Sequence, residues 1–141
     1  MKRYSTAVWK GTGKEGSGFL TTQSLLLDKT KYSWSSRFED EIGTNPEELI
    51  AAAHAGCFTM KLSFLLSELG FKPEIIETKA EVTVESGVIS HSHLNVKANV
   101  PDITRQKFEE CATIAKDTCP VSRALFLTIT MEAELVEKIV A

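Results

Sequence analysis

The sequence predicts an α+β fold in which a largely antiparallel sheet wraps around one long, buried central helix. The first observation is the order of the predicted elements, which runs strands, helix, strands, helix, strand. The second is a helical segment that is apolar almost all the way round. With 141 residues the chain has the length of one domain, and we expect a single domain over residues 1–141.

The N-terminal segment predicts a β-hairpin. Residues 4–10 and 18–27 have strand character, and the glycine-containing stretch 11–17 joins them. The next stretch, residues 28–45, is polar and carries no periodic signal. Connections of that length without secondary structure are uncommon and are often functional.

The long central helix has clear start and stop signals. Asn45 can cap the helix, Pro46 suits the first helical position, and Glu48 completes a capping-box pattern. Gly70 is expected to end the helix after Leu69.

The surface of this helix predicts a dimer. One narrow polar stripe interrupts the apolar surface, and it consists of Glu47, His54, Lys61 and Glu68. A helix this apolar should be buried on most sides. Because a 141-residue monomer could hardly surround it, we expect a homodimer that shares this core.

The C-terminal half predicts three strands and a second helix. Apolar and polar residues alternate along the strands, which cover 76–85, 88–100 and 125–135. Between the last two strands, residues 104–116 form a helix that Thr104 can cap. Pro120 then allows a short helical turn over 121–124.

Composition excludes several classes of function. A formal charge of −3, with no basic run, argues against nucleic acid or an anionic membrane as partner. The N-terminus has no apolar export signal, and no uninterrupted stretch reaches the roughly 18 apolar residues of a spanning helix. We therefore expect a cytoplasmic protein. Thiols in that compartment are more often catalytic, redox-sensing or metal-binding than structural.

The three cysteines differ in their expected roles. Cys57 lies inside the long helix, at the edge of the polar stripe, and is either core packing or a nucleophile. Cys119 precedes Pro120 at an accessible bend, where it could pack or act as a resolving thiol. Cys111 lies on the apolar face of the second helix and is expected to fill the core.

Arg37 and Glu48 are the candidate activators of a thiol. A guanidinium can be held by a carboxylate, and a nearby cation lowers a thiol pKa. The alternative is that Glu48 only caps the helix and Arg37 is a solvated loop cation. Glu48 and Cys57 are nine residues apart, which is about 180° and about 13.5 Å along a helix. If both serve one active site, Glu48 must come from a second subunit.

A metal site is the rival interpretation of these residues. His54 and Cys57 have the i, i+3 spacing of a ligand pair, but no second clustered pair accompanies them. His91 and His93 share a strand face that continues with polar residues, so they are expected to be solvated. We expect no metal and no cofactor, and we place His54 on the polar stripe.

Three blocks of this sequence closely resemble the OsmC branch of the OsmC/Ohr family, the osmotically inducible and organic hydroperoxide resistance proteins. They are Arg37 with Phe38, the block GTNPEELIAAAHAGCF at 43–58, and CPVS at 119–122. The resemblance covers essentially the whole chain. It implies the OsmC-like fold and an intertwined homodimer with active sites at the subunit interface.

The resemblance also implies an activity and its residues. It implies a thiol-dependent peroxidase that reduces organic hydroperoxides, and hydrogen peroxide less well, without a cofactor. By resemblance Cys57 is the peroxidatic thiol, Cys119 the resolving thiol, Arg37 the activating cation and Glu48 the carboxylate that orients it. The implied reductant is a dithiol, either a free dihydrolipoyl group or a lipoylated protein.

Other classes of function stay open beside this one. The thiols could form a disulfide without turnover, as in a redox sensor or stress-binding protein. The chain could instead carry a small apolar ligand in a pocket lined by Cys57, with Phe58 and Met60 as further lining residues. A zinc-binding protein is the most distant alternative.

Overall fold

The computed structural model describes residues 1–140, which form two compact units. The first unit covers residues 1–49 and the second begins at Ile50. The elements of the first unit are β1 (Ser5–Lys10), β2 (Ser17–Thr22), β3 (Thr30–Ser33) and α1 (Trp34–Phe38). Then follow α2 (Pro46–Glu68), β4 (Ile75–Glu85), β5 (Val88–Asn99), α3 (Arg105–Thr118), α4 (Pro120–Ala124) and β6 (Thr128–Leu135). The predicted α+β class is confirmed.

The first unit is built on an antiparallel sheet in the order β1-β2-β3. The predicted hairpin is present, although β2 ends at Thr22 and the residues after it form turns. The unassigned stretch 28–45 contains β3 and α1. Ser33 caps α1: its Oγ accepts from the Ser36 N–H at 3.0 Å, and the Ser33 N–H donates to the Ser36 Oγ at 2.7 Å. Elements of four and five residues are too short to leave a periodic signal in the sequence.

The second unit contains a separate sheet in the order β4-β5-β6. Strands β4 and β5 are antiparallel, whereas β5 and β6 are parallel. The parallel pair exists because α3 and α4 form the crossover that parallel neighbours need. Antiparallel pairing still dominates, but the strands of residues 1–140 form two sheets where the sequence predicted one.

The core of the second unit lies between this sheet and helices α2 and α3. Alternate residues of β5 face it, as predicted from their period of two, and they meet one face of each helix. Its fully buried members include Phe58, Leu62, Leu66, Leu94, Ala98, Phe108, Ala112 and Ala115. Cys111 is 2% exposed within this core, which confirms its predicted packing role.

Helix α2 is buried on one side only in the single chain. Its buried residues recur every fourth position, at His54, Phe58, Leu62 and Leu66. The predicted place of His54 on a polar stripe is therefore wrong. His54 lies only about 40° round the helix from Phe58, and the buried face includes it because hydroxyl partners are available there.

By length and composition α2 also reaches the range of membrane-spanning helices, contrary to the expectation from its polar interruptions. Its mean hydropathy is 1.5 over an 18-residue window, of which 22% is buried. Several apolar residues of the helix, Met60 and Phe64 among them, therefore stay exposed in the single chain.

Gly70 ends α2 as predicted. Its φ is 87°, a left-handed conformation that is unfavourable for any residue that has a Cβ. The N–H of Phe71 donates to the carbonyl of Leu66 at 3.0 Å and closes the end of the helix. No atom lies within 4 Å of a Cβ built at Gly70, so a substitution there is limited by the backbone alone.

Gly70→Ala should lower the free energy of unfolding by about 1–2 kcal/mol, the cost of a left-handed alanine. The matched control is Gly13→Ala, because Gly13 also has open space around its Cβ but has no positive φ. Denaturant unfolding at one fixed protein concentration measures both. Equal stability of the two variants would contradict the assigned helix end.

Candidate active site

Two thiols meet inside the second unit. Cys57 lies in the fourth turn of α2 and is half-buried, while Cys119 lies between α3 and α4 and is fully buried. Cys57 packs against the core cluster that contains Cys119, the two thiols are close enough to affect one another's ionisation, and both are free. Cys119 was expected to be accessible because it precedes a proline, but the bend is folded into the core.

The backbone fixes the position of Cys119. Its N–H donates to the carbonyl of Ala115 at 2.9 Å and closes α3. Its carbonyl accepts from the N–H of Arg123 at 3.1 Å and opens α4. Pro120 cannot continue α3 but suits the first position of α4, so the chain turns at Cys119.

The surroundings of Cys57 favour its protonated form. Burial raises the pKa of the Cys57 thiol, and the neighbouring Cys119 thiol raises it further. The backbone N–H of Val121 acts in the opposite direction but does not outweigh them. A thiolate at Cys57 therefore needs a further stabilising charge.

His54 is a buried polar residue one turn before Cys57. It is fully buried, and its ring nitrogens lie 2.8 Å from the hydroxyls of Ser92 on β5 and Ser122 on α4. Burial lowers the pKa of His54, so the neutral imidazole is the favoured form. The hydrogen bond between His54 and Ser122 was not predicted from the sequence. The serine of the CPVS motif was the one sequence feature that could have indicated it.

In the first unit Arg37 forms an ion pair with Glu47. The Nε of Arg37 lies 2.9 and 3.1 Å from the two carboxylate oxygens of Glu47, and its Nη2 lies 2.5 Å from Oε1. Burial opposes ionisation of Glu47, but the Arg37 hydrogen bonds leave its pKa lowered, and the same bonds raise the pKa of Arg37. The Arg37 guanidinium also lies 5.0 Å from the centroid of the Phe38 ring.

Glu48 has different partners from those predicted. Its carboxylate accepts from the Thr44 hydroxyl at 2.6 Å, and its N–H donates to the Asn45 side chain at 2.8 Å. The second contact confirms Asn45 as the helix cap. The carboxylate that holds Arg37 in this chain is thus Glu47, because adjacent helical residues point about 100° apart and only Glu47 faces α1.

A small cavity of about 130 Å³ adjoins Arg37. Half of its lining residues are aromatic, and the lining consists of Trp9, Gly13, Tyr32, Ser33, Trp34, Arg37, Phe38 and Pro46. The first unit therefore presents its guanidinium beside an apolar surface.

The two pocket residues predicted on α2 have different environments. Phe58 is fully buried in the core. Met60 is 63% exposed and lines an open groove of about 630 Å³, together with Gly56 and Thr59 of the helix and Ile76 of β4.

The histidines outside α2 are bound to a threonine. His91 and His93 direct ring nitrogens at the Thr130 hydroxyl, at 2.6 and 2.7 Å, and both are partly buried where solvation was expected. Within residues 1–140 no three His, Cys, Asp or Glu side chains are grouped closely enough to hold a metal ion.

Comparisons of sequence place these features in a family. The family model described as OsmC-like protein matches residues 38–134, a range that includes both cysteines of the thiol pair. The peroxiredoxin OsmC of Escherichia coli K12 is 44% identical over 133 residues, which is 92% of this chain and 93% of that protein. The organic hydroperoxide resistance protein OhrB of Bacillus subtilis is 27% identical, over 89% of this chain and 95% of its own.

Solved structures share the fold. An OsmC-like protein from Mycoplasma pneumoniae superposes with a TM-score of 0.75 at 14% identity, covering 96% of this chain and 98% of that one. The crystal structure of Bacillus subtilis OhrB gives 0.64 at 24% identity, covering 94% and 98%. With the family model matching more than half of the sequence, the chain belongs to the family of OsmC-like proteins.

Proposed function

We propose that this protein is a thiol-dependent peroxidase that reduces organic hydroperoxides, and hydrogen peroxide less well, to alcohols or water. The observation that carries the proposal is the contact between Cys57 and Cys119 in the core of the second unit. The names of its relatives, peroxiredoxin OsmC and organic hydroperoxide resistance protein, support a peroxide-related redox role.

The proposed reaction has three steps. The Cys57 thiolate attacks the distal oxygen of ROOH, the O–O bond breaks, and the leaving alkoxide takes up a proton to give ROH. Cys57 is then a sulfenic acid, and the Cys119 thiol attacks its sulfur, forming the disulfide and releasing water. A dithiol reductant finally exchanges with the disulfide and restores both thiols.

We assign the activating charge to Arg37. A nearby cation would offset the raised pKa of Cys57, and a guanidinium held by a carboxylate can stabilise both the thiolate and the departing oxygen. In this chain Glu47 fixes Arg37, so Glu47 takes the orienting part. Glu48, the carboxylate predicted for that part, is proposed to secure the start of α2 through Thr44.

The same helical geometry supports a homodimer. Glu47 precedes Cys57 by ten residues, which is about 15 Å along a helix, so the Arg37–Glu47 pair is proposed to serve Cys57 of a second copy. Helix α2 also exposes an apolar stripe opposite its buried face, formed by Ala53, Gly56, Met60 and Phe64. A second copy of the chain is the proposed cover for this stripe.

The proposed setting is the cytoplasm, where thiols are kept reduced. A dithiol suits the last step because it can exchange twice and leave as a cyclic disulfide. We propose a dihydrolipoyl group, free or on a lipoylated protein, as the reductant.

A redox sensor is the second candidate. The neighbouring thiols favour it, because a cysteine beside a second thiol can form one disulfide without sustained turnover. Multiple-turnover consumption of an organic hydroperoxide separates the two functions.

A matched set of alanine variants tests the thiol roles. With cumene hydroperoxide and dihydrolipoamide, Cys57→Ala should abolish turnover, and Cys119→Ala should react once and accumulate sulfenic acid, read by a dimedone trap and mass. Cys111→Ala is the control and should keep the wild-type rate, because Cys111 packs in the hydrophobic core through α3 and has no part in the proposed reaction. Full activity of the Cys57 variant would refute the proposal.

The two adjacent glutamates form a second matched pair. Glu47→Gln should lower kcat/KM about tenfold or more, since loss of the ion pair frees the guanidinium. Glu48→Gln should keep kcat/KM within about twofold of the wild type, because Arg37 keeps its partner Glu47 in this variant. Both variants remove one negative charge from the first turn of α2, so the loss of the helix-dipole interaction is the same in each. Steady-state kinetics on one hydroperoxide measure both. If Glu48→Gln lowered kcat/KM more than Glu47→Gln, Glu48 and not Glu47 would be the carboxylate that orients Arg37.

The oligomeric state tests whether a second copy of the chain packs on the exposed apolar stripe of α2. The wild-type protein should have the mass of two chains by light scattering, and Met60→Glu on the exposed stripe should lower that mass towards one chain. Thr113→Glu, on an exposed side of α3, is the matched control and should remain dimeric. A monomeric wild-type protein would contradict the shared site.

A further inference from the structure

We propose that His54 is a positioning residue that holds α4 against α2 and thereby sets the contact between Cys119 and Cys57. The inference rests on the proposed function for its biological meaning. Its geometry concerns the thiol pair alone, and it can be tested without any peroxide.

His54 connects three elements through buried hydrogen bonds. Its Nδ1 lies 2.8 Å from the Ser92 hydroxyl on β5, and its Nε2 lies 2.8 Å from the Ser122 hydroxyl on α4. The ring and Ser92 are fully buried, and Ser122 is 7% exposed. A neutral imidazole has one donor and one acceptor, and each serine hydroxyl can supply the complementary group.

Helix α4 depends on this link. It has only five residues, and Cys119 itself offers no side-chain cap to the helix. In the part of the chain that the structure describes, the bond from Ser122 to His54 is the side-chain hydrogen bond that α4 makes. Both groups that act on Cys57 belong to this segment: the Cys119 thiol precedes α4, and the Val121 N–H lies within it.

The consequence is a predicted effect on disulfide formation. With glutathione disulfide as oxidant, the Cys57 and Cys119 thiols give up two electrons and two protons, one S–S bond forms, and two glutathione thiols are released. The equilibrium constant of this exchange measures how well the protein places one thiol beside the other. Loss of the link to α4 should reduce that constant.

The two serines provide a matched test in a Cys111→Ala background, which leaves a single thiol pair. Ser122→Ala and Ser92→Ala each remove one hydroxyl from the same imidazole, but only the first releases α4. Ser122→Ala should lower the equilibrium constant by roughly fivefold to tenfold, where tenfold is about 30 mV for a two-electron couple. Ser92→Ala should stay within about twofold.

Conservative replacements of the histidine give an independent readout. A glutamine amide nitrogen takes the place of Nε2 and an asparagine amide nitrogen that of Nδ1, so His54→Gln can keep the bond to Ser122 and His54→Asn cannot. His54→Gln should therefore retain the wild-type constant more closely than His54→Asn.

Equal shifts in the two serine variants, no shift in either, or a larger shift in Ser92→Ala would overturn the positioning role. The outcome is separable from the proposed function. A chain that fails to turn over hydroperoxide could still show the selective Ser122 effect, and an active peroxidase could lack it.

Discussion

The site depends on how the buried face of α2 packs against β5 and the bend between α3 and α4. That face places Phe58 and Leu62 in the core and leaves Cys57 at its margin, half-buried. The bend brings Cys119 into the same region because Pro120 interrupts the helix at that residue. A shift of α2 by one residue would rotate Cys57 by about 100° and separate the thiols.

The packing that joins the thiols also opposes their chemistry. Burial keeps Cys57 protonated, and a protonated thiol is a poor nucleophile. Arg37 is the charge that we propose to offset this effect, and its Nε and Nη2 both donate to the Glu47 carboxylate. We propose that a second subunit brings this cation to the thiol and covers the exposed apolar stripe of α2.

Sequence reasoning predicted the features that rest on local patterns. The period-two strands, the Asn45 cap, the Gly70 stop and the buried Cys111 all follow from a few neighbouring residues. The features it missed depend on residues far apart in the chain. Strands β5 and β6 pair in parallel only because of the crossover between them.

In the candidate site, too, the features that depend on distant residues are the ones that the sequence did not predict. The thiol pair was predicted, but the burial of Cys119 was not, because it depends on how the bend packs in three dimensions. A periodic pattern grouped His54 with charged residues, and only the two distant serines explain its burial. The choice between Glu47 and Glu48 needed the position of α1, which no spacing along the chain provides.

We propose that a hydroperoxide oxidises one specific pair of thiols, Cys57 and Cys119. The most direct measurement is peptide mapping by mass spectrometry of the wild-type protein after one equivalent of cumene hydroperoxide, quenched by alkylation. The predicted result is the loss of two hydrogens as a disulfide between Cys57 and Cys119, with Cys111 alkylated. A disulfide that includes Cys111, or three alkylated cysteines after the peroxide has been consumed, would contradict the account.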